Sequence, residues 1–95
     1  MLTLPIKKKW FDMIKSGEKK EEYREIKPYY ESRFKIYDSH FSSFENIVFR
    51  NGYRKDSPKI KCCCYISKGM GKPELGAEPN KMYYVLKILS VEEVK

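Results

Sequence analysis

Ninety-five residues allow one domain with a single modest core. Charged residues make up 35% of the chain and apolar ones 41%, a balance that fits a folded soluble protein and excludes a disordered polyelectrolyte. A net charge of +7, a pI near 9.3 and 15% aromatics suit a polyanionic partner, with lysines for phosphates and rings for bases, although a cationic surface also serves solubility. No run is long enough to span a membrane and the start lacks the apolar core of a signal peptide, so a cytoplasmic protein is expected.

In chain order, Leu2-Thr3-Leu4 reads as a short strand ending at Pro5. From Ile6, apolar residues recur at Trp10, Phe11, Met13 and Ile14, the stripe of a helix. Ser16-Gly17 stops it, because glycine takes the left-handed conformation after the last turn at no steric cost. Lys7, Lys8 and Lys9 fall in the first turn, where the helix dipole disfavours cations. A nearby anion would offset that, while a solvated lysine face is the plainer reading. Trp10 is most simply core.

Lys19 to Ile26 reads as a strand with Lys20, Glu22 and Arg24 on one face and Lys19, Glu21 and Tyr23 on the other. Lys19 joins Glu22 only if the first residues belong to the turn or to a bulge, so the register stays open. Pro28 opens a short helix with Tyr30, Phe34 and Tyr37 on one face, and Asp38 to Ser43 is a loop. Glu45 to Arg50 is a strand. Two turn signals follow, Asn51-Gly52 and Asp56-Ser57-Pro58, and a turn at 55–58 with Asn51-Gly52 as a kink is favoured. Lys59 to Ser67 is the next strand, and Lys68 to Asn80 is a long glycine- and proline-bearing loop without a phosphate-loop motif. Met82 to Leu89 is apolar on nearly both faces, as inside a closed barrel, and the tail 91–95 adds little.

Cys62-Cys63-Cys64 stand together, and neighbours on a strand point to opposite faces, which argues against a bridge between them. Small apolar strand residues are the plain reading and a nucleophilic cysteine the sharper one. His40 is the sole histidine and no Cys-x-x-Cys occurs, so neither metal nor cofactor is expected.

The candidate site is Ser16 to Arg24, where Lys19, Glu22 and Arg24 follow a glycine turn. A general base works best with a pKa near the working pH, yet flanking cations pull a carboxylate's pKa down. Recognition is therefore favoured over covalent catalysis. Glu22 would accept from an exocyclic amine or a ribose hydroxyl, and Arg24 offers a planar fork to a phosphate or base edge. Tyr23, Tyr29, Tyr30 and Tyr53 are stacking candidates, and Arg50-Asn51-Gly52-Tyr53-Arg54 forms a second cluster of cation, amide and ring. Core roles for Tyr23 and Tyr30, and a plain same-face Glu22–Arg24 pair, are the alternatives.

At these residues the chain resembles a known family. Gly17-x-Lys19-x-x-Glu22-x-Arg24 is similar to the G-x-K-x-x-E-x-R signature of ASCH domains, in the PUA-like superfamily. The opening Leu-Pro-Ile, Trp10-Phe11, Ile14-x-Ser16-Gly17 and the later Arg50-Asn51-Gly52-Tyr53 also look like a small phage and bacterial branch of it. The resemblance implies an α+β fold, a small PUA-like mixed β-barrel with two short helices spanning 1–95, with the motif lining a basic cleft. It implies an RNA- or nucleotide-binding module, for single strands above all, with Lys19, Glu22, Arg24, Arg50, Asn51 and Tyr53 as contacts. The alternative is a small metal-independent hydrolase of a modified nucleoside or RNA, of amidohydrolase or ribonuclease type, with Lys19 and Glu22 as its catalytic pair. The branch that deacetylates N4-acetylcytidine carries a threonine where this chain has Glu22, which puts that mechanism in doubt here. A protein partner, such as a host factor, is a third class.

Overall fold

Period-two alternation organises the sheet. The computed structural model describes residues 1–34 and 43–94; Tyr37, His40 and the expected loop up to residue 42 lie outside the described residues. The elements are β1 (Leu2–Ile6), α1 (Lys8–Lys15), β2 (Glu21–Glu25), α2 (Pro28–Phe34), β3 (Ser43–Asn51), β4 (Lys59–Met70), a single 3-10 turn (Pro73–Leu75) and β5 (Met82–Val94). Along β4, Ile60, Cys62, Cys64 and Ile66 are buried while Lys61, Cys63 and Tyr65 face the other side. With Leu4, Ile6, Ile47, Phe49, Tyr84 and Leu86 they line the concave face of the sheet, closed by Phe11 and Ile14 of α1 and Phe34 of α2.

The strands run in the order β1-β3-β4-β5-β2, with β1 parallel to β3 and the other pairs antiparallel. The fold is α+β, a curled mixed five-stranded sheet forming a half-barrel with two helices. A register shift opposite Cys63 and Cys64 leaves Leu89 as the extra residue of a bulge, a feature that bends a strand. Among the described residues the sheet does not close, and β1 and β2 are its two edges. Pro5 sits on such an edge, where a missing N–H costs no ladder bond.

Several boundaries differ from the sequence reading. Ile6 belongs to β1, and α1 starts at Lys8 with Lys7 at its cap. The favoured placing of the turn agrees to within a residue: Asn51-Gly52 is not a hairpin tip, Asn51 N–H closes the ladder on Pro58 O at 2.9 Å, and the tight turn lies at Arg54–Ser57. β4 runs on to Met70, which shortens the expected loop. Instead of adding little, residues Val91–Val94 continue β5 against Lys59–Cys62, and Lys15 of α1 pairs with Glu93 at 2.7 Å. Tyr83, Tyr84, Val85 and Leu86 are all buried, though not by barrel closure. The 71–80 segment covers the outer face there: Gly71 lies against Ala77 and Tyr23, and Glu78 N–H donates to the Tyr83 hydroxyl at 2.9 Å.

Candidate functional site

The gap between the two edge strands is a cleft of about 380 Å³. Its walls are the β1–α1 junction at Pro5–Lys8 with Trp10, Glu22 and Arg24 of β2, Asn51–Tyr53 after β3, and Leu75, Gly76 and Tyr83.

Local capping explains how Lys19 reaches this region. Ser16 and Gly17 N–H groups return to Asp12 and Ile14 carbonyls at 3.0 and 3.1 Å, Gly17 takes φ +86°, and Lys19 N–H bonds Met13 O at 2.9 Å. The chain doubles back over α1 and β2 begins only at Glu21, so Lys19 belongs to the turn and meets Glu22. Lys19 is 1% exposed; its Nζ donates to the Leu75 carbonyl, stands 3.5 Å from Glu22 Oε1 and lies 4.2 Å from the Trp10 ring centroid. Burial lowers its pKa below the ordinary lysine value, and the Glu22 charge opposes that.

Glu22 is 7% exposed and pinned on both oxygens. Oε1 accepts from the Tyr23 N–H at 3.1 Å and Oε2 from Arg24 Nη2 at 3.0 Å. Arg24 Nη2 also donates to Pro5 O at 3.1 Å, and Nη1 donates to the Tyr30 hydroxyl at 3.2 Å. The guanidinium thus clasps β1 to β2 across the open side of the sheet. Its Nε is buried and makes no hydrogen bond among the described residues.

The 71–80 segment forms the remaining wall. Gly76 takes φ +106°, and a Cβ there would stand 3.1 Å from the Trp10 ring, so glycine is what lets this backbone lie against the indole. The Tyr23 hydroxyl accepts from Lys72 N–H at 3.0 Å and donates to Glu21 Oε1 at 2.7 Å, and burial pushes its pKa up to about 12.

Of the residues singled out from sequence, Glu22, Arg24, Asn51 and Tyr53 line the cleft, with Tyr53 85% exposed at its rim. Lys19 lies beneath the cleft, under Leu75. Arg50 is not a wall; its Nε donates to Gly52 O at 3.1 Å and holds the turn. Tyr23 is half-buried and lines the cleft, Tyr30 stacks on Phe34 at 5.6 Å, and exposed Tyr29 lies under the Arg33 guanidinium at 3.5 Å. The sequence reading missed Lys7, Trp10, Gly76 and Tyr83 as walls. Lysines in a helix's first turn were the one available signal, since Lys7 and Lys8 stand at the cleft mouth, Lys8 paired with Asp12 at 2.6 Å.

Cys62 and Cys64 are buried, with the Cys62 thiol pushed up to about 12 and Cys64 pushed up likewise, so neither is a ready nucleophile. Among the described residues no His, Cys, Asp or Glu group is arranged to hold a metal, and no helix is long and apolar enough to cross a membrane.

Fold and site together define a small α+β half-barrel domain with a basic-rimmed, aromatic-walled cleft over a buried carboxylate. No family model matches the chain, and no curated protein or solved structure matches it.

Proposed function

We propose that this chain is an RNA- or nucleotide-binding module of ASCH type, with a PUA-like barrel left open on one side, that takes its ligand in the cleft over Glu22. The observation that carries the reading is the make-up of that cleft: a buried carboxylate as floor, Trp10, Tyr23 and Tyr53 as rings, and Lys7 and Lys8 at the mouth. A carboxylate held between two cations is a strong acceptor, which suits reading an amino or hydroxyl donor. The exposed Tyr53 ring, the half-buried Trp10 and Tyr23 rings and the cations at the mouth suit a stacked base and its phosphate. The cleft's size, at the low end of the roughly 300–1,000 Å³ of small-molecule sites, suits one nucleotide.

A second reading draws on Lys19. Burial lowers its pKa, the direction a small metal-independent hydrolase needs in a lysine base, while the Glu22 charge opposes it. Lys19 is 1% exposed under the Leu75 carbonyl, however, so that chemistry first needs the 71–80 segment to lift.

The test is affinity for short single-stranded RNA at two salt concentrations, comparing the wild type with Tyr53→Ala and Lys7→Ala. Salt-sensitive binding that both variants weaken supports the module. Absence of binding at low salt would sink it. Turnover of an acylated nucleoside or RNA that vanishes in Glu22→Gln would shift the reading to the hydrolase.

A further inference from the structure

A second cavity of about 360 Å³ adjoins the cleft and shares four of its walls, Tyr23, Arg24, Gly76 and Tyr83. It extends away from α1 toward Lys27, Tyr30 and Lys81. Resting on the reading of the cleft as a nucleotide site, we propose that the ligand is a single strand, with two consecutive nucleotides lying in the two cavities across Arg24.

The second cavity has its own recognition chemistry. Tyr30 and Tyr83 are its rings, and each has a lysine over it: Lys27 Nζ stands 5.7 Å from the Tyr30 centroid and Lys81 Nζ 5.3 Å from that of Tyr83. Lys27 is exposed, and Lys81 is held only loosely by Glu25 and Glu78, at 3.7 and 3.6 Å. Both ammonium groups are free to turn toward a phosphate. Arg24 lines both cavities and forms the ridge between them, its side chain 16% exposed there. A phosphodiester crossing the ridge places its charge among Arg24, Lys27 and Lys81, which no free nucleotide in the first cavity does. Glu25 and Glu78 oppose that charge, so the second position contributes specificity of length more than bulk attraction.

The experiment measures binding of a mononucleotide, a dinucleotide and a six-nucleotide RNA of the same base, by titration calorimetry at two salt concentrations. The dinucleotide should bind at least about tenfold more tightly than the mononucleotide, with a log–log salt slope steeper by about 0.7 for the added phosphate contact. In Lys27→Ala/Lys81→Ala that affinity ratio should fall to near one, and in Glu78→Gln it should rise. Equal affinities for mononucleotide and dinucleotide would overturn the proposal while leaving the nucleotide site standing. A ratio unchanged in the double lysine variant would likewise overturn it. Failure of all three ligands to bind would remove both the proposal and the reading it rests on.

Discussion

Arg24→Ala removes in one step the donor that joins the two edges of the sheet. Nη2 bonds Pro5 O on β1 and Glu22 Oε2 on β2 at 3.1 and 3.0 Å, and Nη1 bonds the Tyr30 hydroxyl at 3.2 Å. Truncating one member of a buried ion pair costs about 3–5 kcal/mol, because the other charge is left in a dry site. Two features set Arg24 at the low end: its side chain is 16% exposed, and Glu22 keeps Lys19 at 3.5 Å. The expected loss is about 3 kcal/mol, against the roughly 5–14 kcal/mol that a chain of this size holds in total. It lowers Tm by about 12–24 °C and, for a urea m-value near ~1.5 kcal/mol/M, moves the midpoint by about 2 M. Circular dichroism melts and urea titrations read both. Arg24→Lys keeps a cation near Glu22 but has no fork to span Pro5 as well, so it should lose about half as much. A loss below ~1 kcal/mol in Arg24→Ala, the size of an exposed pair, would refute the clasp. The same result decides how binding data are read, because Arg24→Ala perturbs the fold together with the site.

Gly76→Ala puts a side chain at φ +106° and 3.1 Å from Trp10, so it should cost about 1–3 kcal/mol and shift Trp10 fluorescence; unchanged emission and stability would count against the docked segment. Tyr53→Ala should leave Tm within a degree or two, the ring being 85% exposed, while weakening single-stranded RNA binding by roughly tenfold, in line with ~1–3 kcal/mol per stacked base. Alkali should destabilise the fold between pH 9 and about 12. The unfolded Cys62 thiol loses its proton near 9.0 while the folded one keeps it to about 12, so the folded state binds more protons and stability falls as pH rises. The slope is up to about 1.4 kcal/mol per pH unit for each such thiol. Urea midpoints against pH should therefore flatten in Cys62→Ala, and an identical slope would disprove the linkage. Native Cys62 and Cys64 should also resist thiol reagents at pH 8, where half-buried Cys63 reacts first.

The parts of the fold legible in the sequence are those that carry a local signal. Alternation exposes β4, the Ser16-Gly17 stop ends α1 near its true end, and Pro28 opens α2. The ends of β4 and β5 were not legible, because Gly69 and the polar Ser90–Glu93 have no strand signature of their own. They are strands because each has a ladder partner: Tyr83 for Gly69, and Lys61 and Ile60 for Glu92 and Glu93. The site divides in the same way. The motif picks out Lys19, Glu22 and Arg24 but leaves the register of Lys19 against Glu22 open, and the partners that set their roles are backbone carbonyls far along the chain. Lys19 binds Leu75 O and Arg24 binds Pro5 O, and a carbonyl has no residue identity to read. Trp10 read as core because its helical stripe is apolar, whereas it packs one face on the core and turns the rest to the cleft.

The cleft and the incomplete barrel have a common origin. A fifth ladder between β1 and β2 would close the sheet and fill the gap with backbone, and the edge at Pro5 lacks the N–H that such a ladder needs there. A side-chain fork takes its place, and a fork is longer than a backbone hydrogen bond, so the edges stay apart. Arg24 in that position requires a buried counter-charge, which Glu22 supplies, and Glu22 in turn holds Lys19 beneath the 71–80 segment. One carboxylate is thus shared by two cations in a row of three, and the row forms the floor of the opening it keeps. Because both amino groups of the Arg24 fork are already committed, a ligand in the cleft would gain most from exposed Lys7 and Tyr53 and the half-buried Trp10 ring, and would meet Glu22 as a fixed acceptor. On the proposed nucleotide reading, selectivity would follow from the donor a ligand brings to Glu22, and affinity from phosphate and ring contacts at the rim.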